Sequence, residues 1–434
     1  MGLFDNIFGS GREEQKPVTV AQGQPVKVFE EGSSGTEIYS GYIHEEYLAE
    51  LQGKDWADLV DKMFRSDPNV KMVVNALVLP LKSTSWVFQV KKTVTPEQKA
   101  LAESQKQLME RIFFEDIAKQ GKSFTRLIGE VFSCVRHGFS LFELTYKPVI
   151  DDPKFGSYNT LKSMAWRSQR TIEKWNVDRD GNLRSVTQMV NGDLADKSII
   201  NLDARFLVHF APEMEGSNYE GISLLRGMYG NWLRKNHFLK MLAAGIEKYA
   251  IPLPTLEVPE GKEASPEYRE AKKALKKYTS NQANYIMYPA GWKFDVKDIQ
   301  FDADKVRKAI NDENQEMVNS ALLNFLLLGQ QGNSGNRALG GTLSDFFGQS
   351  VQYLADHVSE TMEARAFKNL IALNYGADCP CLIELKADAL KDAADKTWAD
   401  TISVFIKDGV IKADRTLEEQ IREKFRYPSI DDAT

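Results

Sequence analysis

The chain has 434 residues, 42% of them hydrophobic and 27% charged, with 55 Lys and Arg against 61 Asp and Glu and a formal net charge of −6. That length exceeds one ordinary core and predicts two or three subdomains; the acidic balance argues against a protein that wraps nucleic acid tightly, because tight binding needs many phosphate-neutralising cations. No apolar run reaches the length of a membrane span, and Cys134, Cys379 and Cys381 are too few and too odd in number to staple a chain this long, which fits a reducing compartment.

The opening MGLFDNIFGS has no basic region or cleavage site of the secretory kind, and Asn6 stands where a myristoylation signal wants Ser or Thr, so a soluble protein is expected. Residues 1–45 are polar and glycine-rich with little periodicity, and read as an arm that orders only against a neighbour. Structure is expected from about Asp55. DWADLVDKMFRSD carries a helical stripe at Trp56, Leu59, Val60 and Met63; Asp67 then caps a second helix whose first position is Pro68. Trp86, Phe88 and Val90 alternate in a strand. Residues 96–115 and 123–136 read as two helices, with Gly138 stopping the second, and FSLFELTYKPV as the strand after it.

Residues 158–210 are β-rich, with a hairpin turn at Asp180-Gly181 and an apolar strand ARFLVHF. Residues 222–250 then predict a helix of about 40 Å at 1.5 Å per residue, with Leu225, Met228, Trp232, Leu239, Leu242 and Ile246 near one face. A second rod, 302–328, carries its stripe at Val306, Ile310, Met317, Ala321, Leu322, Phe325 and Leu328. The two rods flank an insert of about fifty residues, too small to fold well alone, and are expected to pair antiparallel. Within the insert, IPLPTLEV is extended, Ser265-Pro266 starts a helix, and NYIMYP and WKFDV form short strands. After the second rod comes GQQGNSGNRALGG, a loop that can flex but cannot pack a core, with Arg337 its single charge. Residues 344–373 read as another long helix, and 387–407 and 414–425 as two more.

No catalytic, cofactor or metal site is expected. Gly121-Lys122-Ser123 ends like a phosphate-binding loop, but Asp116 replaces the required glycine and a helix precedes it. The five histidines, at 44, 137, 209, 237 and 357, include no pair at ligand spacing, and His209 is most simply a strand histidine. Cys379-Pro-Cys381 has no second ligand pair and reads as a turn. Asp302, Asp304, Asp312, Glu313 and Glu316 read as a solvated helix face. The basic helix bearing Arg269, Lys272, Lys273, Lys276 and Lys277 admits two readings, a surface for an acidic partner or a solvated face. Tyr229, Leu233 and Phe238 spill beyond the first rod's apolar stripe, which suits either contacts between copies in a ring or an ordinary helical hairpin core.

The landmarks NALVLPLKSTSWVFQV, GEVFSCVRHGFSLFELTY and HFAP followed by YEGISLLRGMYGNWLRK, then rod, insert, rod and glycine loop, come in an order that resembles the portal proteins of tailed bacteriophages, most closely the Mu-like branch. The likeness runs over residues 55–427. It implies an α+β, mainly helical portal fold forming a cyclic ring, dodecameric in that family. Carried onto this chain, it implies an N-terminal arm 1–45, a wing 46–221 and 342–384, stem helices 222–250 and 302–328, a clip 251–301, a tunnel loop 329–341 and a small crown 385–434.

The resemblance further implies a ring at one capsid vertex of the virion, assembled in the host cytoplasm, through which double-stranded DNA is packaged and ejected. Gln330, Gln331, Asn333, Ser334, Asn336 and Arg337 would face the DNA. Arg269, Lys272, Lys273, Lys276 and Lys277 of the clip would face the terminase large subunit and later the head-to-tail adaptor, and the major capsid protein and scaffold would be further partners. Motor chemistry would belong to the terminase. The alternative is another ring-forming virion connector or a minor capsid protein without a packaging role.

Overall fold

Asp67 separates helix α1 (Gly53–Ser66) from α2 (Pro68–Ser83): its carboxylate accepts from the backbone N–H groups of Asn69 and Val70, and Pro68 fills the first turn, where no N–H is needed. The computed structural model describes residues 34–191, 197–249, 253–262, 265–279, 290–297, 301–320 and 337–388. It divides into two units, one made of Met1–Leu224 with Ser334–Thr434, the other of Leu225–Asn333.

In the first unit α2 buries Val70, Val73, Val74, Leu77, Val78 and Leu81. Strand β3 (Trp86–Val90) follows and pairs antiparallel with β12 (Ile383–Ala387), Trp86 opposite Ala387 and Val90 opposite Ile383. Residues 383–387 are thereby paired with residues 86–90, so residues 385–387, expected in a C-terminal crown, belong instead to this sheet. Phe88 of β3 lies 5.3–5.9 Å, between ring centroids, from Phe113, Phe114 and Phe367, and both Phe113 and Phe114 meet Phe124. Such tilted and edge-on pairs add to the burial of large apolar rings. Phe113 and Phe114 can both reach these partners because α3 (Lys99–Glu110) widens into a π-helical turn, Arg111–Asp116. A second π turn, Glu363–Phe367, breaks the helix expected over 344–373 into α9 (Arg337–Met362) and α10 (Lys368–Tyr375), and it supplies Phe367.

Helices α4 (Phe124–Val131) and α5 (Ser133–His137) lead through Gly138 into β4 (Ser140–Asp152). With β5 (Gly156–Arg167) and β9 (Leu207–Phe210) it forms an antiparallel sheet in the order β5-β4-β9. The buried Asp116 carboxylate ties the first π turn to this sheet by accepting from Tyr158 Oη at 2.8 Å and Thr160 Oγ1 at 2.9 Å. A second sheet runs β6-β7-β8, from β6 (Ile172–Val177), β7 (Leu183–Asn191) and β8 (Lys197–Asp203). Its first turn is the expected one at Asp180-Gly181, held by Asp178, whose side chain accepts from the N–H groups of Asp180 and Asn182.

The arm expected over 1–45 is shorter than its sequence suggests. A hairpin, β1 (Ile38–Tyr39) with β2 (Tyr42–Ile43), lies on β6, where Trp175 N donates to Gly41 O at 2.7 Å and Ile43 joins the buried cluster of Phe139, Trp175, Val186 and Leu202. Those residues order against their own chain, because tight backbone pairing needs little side-chain periodicity.

His209 is the strand histidine expected. Its Nε2 lies 2.7 Å from Tyr219 O and so carries the proton, while Trp175, Tyr219 and Phe139 surround the ring at 5.3–6.0 Å. Burial pushes its pKa down to about 4, and burial of Glu220 beside Trp175 pushes that carboxyl up to about 6. The two act oppositely on stability. Unfolded His209 binds its proton from the ordinary value of 6.5 downward, so its contribution is complete above pH 6.5 and falls by about 2 to 3 kcal/mol on going to pH 4.5. Folded Glu220 takes up its proton before the unfolded chain does, which adds back about 1 to 2 kcal/mol over the same interval. Glu220→Gln should therefore unmask the histidine: urea midpoints at pH 7 and 4.5 should diverge more in the variant than in the parent, and equal differences would overturn the assignment.

Candidate functional site

The second unit is a helical hairpin carrying a small insert. Helix α6 (Tyr229–Tyr249) and α8 (Ala303–Asn319) pack against each other, and three contacts fix their direction. At one end a side chain built on Gly227 would meet Ser320; seven residues on, Arg234 reaches Glu313, seven residues back; near the other end Gly245 lies under the ring of Phe301. The rods are antiparallel. Arg234 grips Glu313 as a fork, its Nε and Nη2 donating to the two carboxylate oxygens at 2.8 and 2.9 Å. The guanidinium is more than half exposed, so the pair contributes about 1 kcal/mol at most and serves chiefly to set register. A Cβ at Gly245 would overlap the Phe301 ring, so a residue that weakens a helix intrinsically is what allows the rods to close there.

The first rod is shorter than the 222–250 expected. Residues 224–228 are turns and the helix begins at Tyr229. Tyr229 is buried, not spilling outward; Phe238 is half-buried, and Leu233, Leu239, Met241 and Ile246 are exposed. On α8, Ile310, Met317 and Val318 are buried while Asp304, Asp312 and Glu316 face solvent. Asp302 caps the helix, accepting from Lys305 N at 3.1 Å. The acidic face is solvated, with Asp302 and Asp304 in exposed ion pairs with Lys305 and Arg307, apart from Glu313, half-buried in its pair with Arg234. Residues 321–328 of the second rod lie outside the described residues.

In the insert, β10 (Leu253–Glu257) pairs antiparallel with β11 (Lys293–Lys297), and helix α7 (Pro266–Thr279) packs on β10. Ser265 caps that helix, its Oγ accepting from Tyr268 N at 3.2 Å. Ala271 is buried and Tyr268, Ala274 and Leu275 are half-buried, which defines the packed side. Arg269, Lys272, Lys273 and Lys276 recur at the spacing of a single helical face and are exposed, flanked by the exposed carboxylates Glu267 and Glu270. Lys277 lies on the same helix. NYIMYP, expected as a strand, lies outside the described residues.

Of the residues expected in the tunnel loop, Gln330, Gln331, Asn333, Ser334 and Asn336 lie outside the described residues. Arg337 does not sit in a loop: it is the first residue of α9, so residues 337–341 are helical. The run Arg337-Ala338-Leu339 precedes the glycine pair and supplies good helix formers, a local signal that the surrounding glycines mask. The described residues contain no group of His, Cys, Asp or Glu arranged to hold a metal ion.

A helical hairpin with a β-containing insert, carried by a mixed helix and sheet unit to which the chain returns, defines a portal-type fold. The same fold occurs in a chain of the virion of a native gene transfer agent (GTA) particle, with a TM-score of 0.54 and 14% identity over 87% of this chain and 94% of that one. A chain from the neck of an empty GTA particle, computed with C6 symmetry, gives 0.55 and 14%, covering 85% and 94%. A chain from the neck of a native GTA particle, computed with C12 symmetry, gives 0.53 and 13%, covering 87% and 94%. Residues 57–427 match the family described as the portal protein of Mu bacteriophage, and the chain belongs to that family.

Proposed function

We propose that copies of this portal protein close into a ring, of twelve subunits as in the C12 neck of the structural relative, at one vertex of a virion capsid. Double-stranded DNA passes through its axial channel during packaging and ejection. The family match over residues 57–427, which spans both rods, the insert and the glycine loop, carries this reading. In it α6 and α8 form the stem, 251–301 the clip, 329–336 the tunnel loop and the first unit the wing, with a short crown after residue 388.

The exposed side chains of α6 support a ring. Leu233, 51% exposed, and Met241 lie off the stripe of buried Trp232, and Leu239 and Ile246 along that stripe are exposed as well, which leaves apolar area for the contacts with neighbours that ring closure requires. Negative-stain images of the purified full chain should show rings with a central hole. A monodisperse monomer at every concentration and ionic strength would sink the proposal.

The basic face of α7 is the proposed dock for acidic surfaces of the terminase large subunit and then of the head-to-tail adaptor, while capsid and scaffold proteins contact other parts of the ring in the host cytoplasm. The protein acts as a connector and the motor chemistry resides in the terminase. Reversing charge with Lys272→Glu and Lys276→Glu should weaken terminase binding by about tenfold at low salt and proportionately less at high salt, as pull-down across a salt series would show. Unchanged binding would leave the stripe a solvated face.

A further inference from the structure

The hairpin β1–β2 turns at Ser40-Gly41, with φ of +52° and +87°, and sets Ile38 opposite Ile43 and Tyr39 opposite Tyr42. Opposed residues share a face and successive residues alternate between faces, so the two isoleucines, packed on the cluster of Phe139 and Trp175, leave the two tyrosines on the outer face. Tyr39 is 61% exposed and Tyr42 45%. His44, two residues beyond Tyr42, extends the row, with its ring centroid 5.5 Å from that of Tyr39. Adjoining aromatic side chains left in water mark a contact surface in a way that scattered apolar residues do not. Charge says what kind of contact. From Glu37 to Glu50 the chain carries four glutamates and no Lys or Arg. Glu37 and Glu45 stand exposed beside the tyrosines, Glu45 Oε1 accepting from Glu37 N at 2.9 Å, and neither forms an ion pair among the described residues. One cation is already seated on the row: Lys174 Nζ, from β6, lies 5.0 Å from the centroid of the Tyr42 ring.

We propose that this face binds an arginine-bearing segment of a partner protein, whose guanidinium groups stack on Tyr39 and Tyr42 and donate to Glu37 and Glu45. A guanidinium meets both halves of the surface at once: it is flat against an aromatic ring, forked toward a carboxylate, and more weakly hydrated than an ammonium, so less is lost on leaving water. Lys174 shows that a cation is stable over Tyr42, and Tyr39, the more exposed of the pair, has no such cation among the described residues. An acidic surface of this kind repels nucleic acid, which leaves a basic polypeptide as the fitting occupant. The inference concerns one hairpin of one subunit and does not depend on ring formation.

Fluorescence anisotropy on the full chain tests it, with a dye-labelled Gly-Arg-Gly-Arg-Gly-Arg peptide as the probe. The probe should bind more tightly than its lysine counterpart and weaken as salt rises. Tyr39→Leu with Tyr42→Leu keeps every charge and an apolar face but removes the aromatic rings, and should weaken binding by about tenfold, whereas Tyr39→Phe with Tyr42→Phe should hold it within about twofold. Binding retained by the leucine pair would be general attraction to an acidic chain, and binding lost by the phenylalanine pair would belong to the hydroxyl groups; either result overturns the proposal. Glu37→Gln with Glu45→Gln leaves both tyrosines and the hairpin's core face in place, and should weaken binding by about fivefold at low salt. Unchanged binding by that pair overturns the proposal even if the leucine pair disturbs the hairpin. Failure of the parent chain to bind the arginine probe, as when another copy covers the hairpin, overturns it as well.

Discussion

Gly138→Ala should destabilise the first unit by about 3 kcal/mol or more, the largest single-residue effect expected in this protein. Gly138 closes α5 with φ +99°, a conformation that side chains resist. A Cβ there would overlap the carbonyl oxygen of Glu220 and lie 3.1 Å from that of Gly221, and Gly221 itself has φ +57° with the Gly138 carbonyl against it. Two glycine backbones therefore pass face to face, and neither can retreat without breaking the end of the helix. Three of the last carbonyls of α5 are satisfied: Cys134 O by Gly138 N at 2.8 Å, Val135 O by Leu224 N at 3.1 Å and Arg136 O by Ser223 Oγ at 2.5 Å. Separating the two strands of chain by even half an ångström would loosen two of these bonds. Gly121 supplies the control. It also has positive φ, at +79°, but an added Cβ meets nothing within 4 Å, so Gly121→Ala should cost only about 1 kcal/mol. Thermal midpoints should separate the two variants by several degrees; equal losses would mean that backbone conformation, and not the close approach, sets the cost.

What could be read from the sequence was local, and what could not was the meeting of distant residues. Asp67 with Pro68, Gly138 after a helix, Asp180-Gly181 between strands and Ser265-Pro266 each announce their role through a backbone requirement met within four residues. The pairing of β3 with β12 joins residues nearly three hundred positions apart, and nothing in either strand names its partner. The π turns are equally silent, because Arg111–Asp116 and Glu363–Phe367 keep a helical composition and show themselves only once Phe113, Phe114 and Phe367 must share one core. The first rod is shorter than its apolar spacing suggests for a related reason. Leu225 and Met228 sit at helical spacing and are buried, as predicted, yet the backbone carrying them is a series of turns. At the insert the basic face was legible because i, i+3, i+4 and i+7 spacing fixes a helix face whatever it packs on. The Arg234–Glu313 fork was not, although a mid-helix glycine such as Gly245 does signal a close neighbour.

Removing residues 330–336 should leave rings intact while genome retention falls by roughly tenfold or more, the largest functional effect expected, because the contacts being removed are the ones proposed to meet DNA. The deletion stops before Arg337, since that residue opens α9 and a longer cut would unwind the start of a helix in the first unit. Gln330, Gln331, Asn333, Ser334 and Asn336 are uncharged, and in the proposed channel this is a mechanical requirement. Each phosphate neutralised by a cation steepens the dependence of binding on salt by about 0.9 in log–log terms, so a ring of added charges would multiply into drag on a moving duplex. Asn333→Lys should accordingly fail in the opposite sense from the deletion: packaging should slow, and raising the ionic strength should restore its rate. A packaging assay that follows both the speed of DNA entry and the fraction of full particles separates these outcomes. Normal filling and retention by the deletion variant, or slowing by Asn333→Lys that salt does not relieve, would remove this segment from the channel.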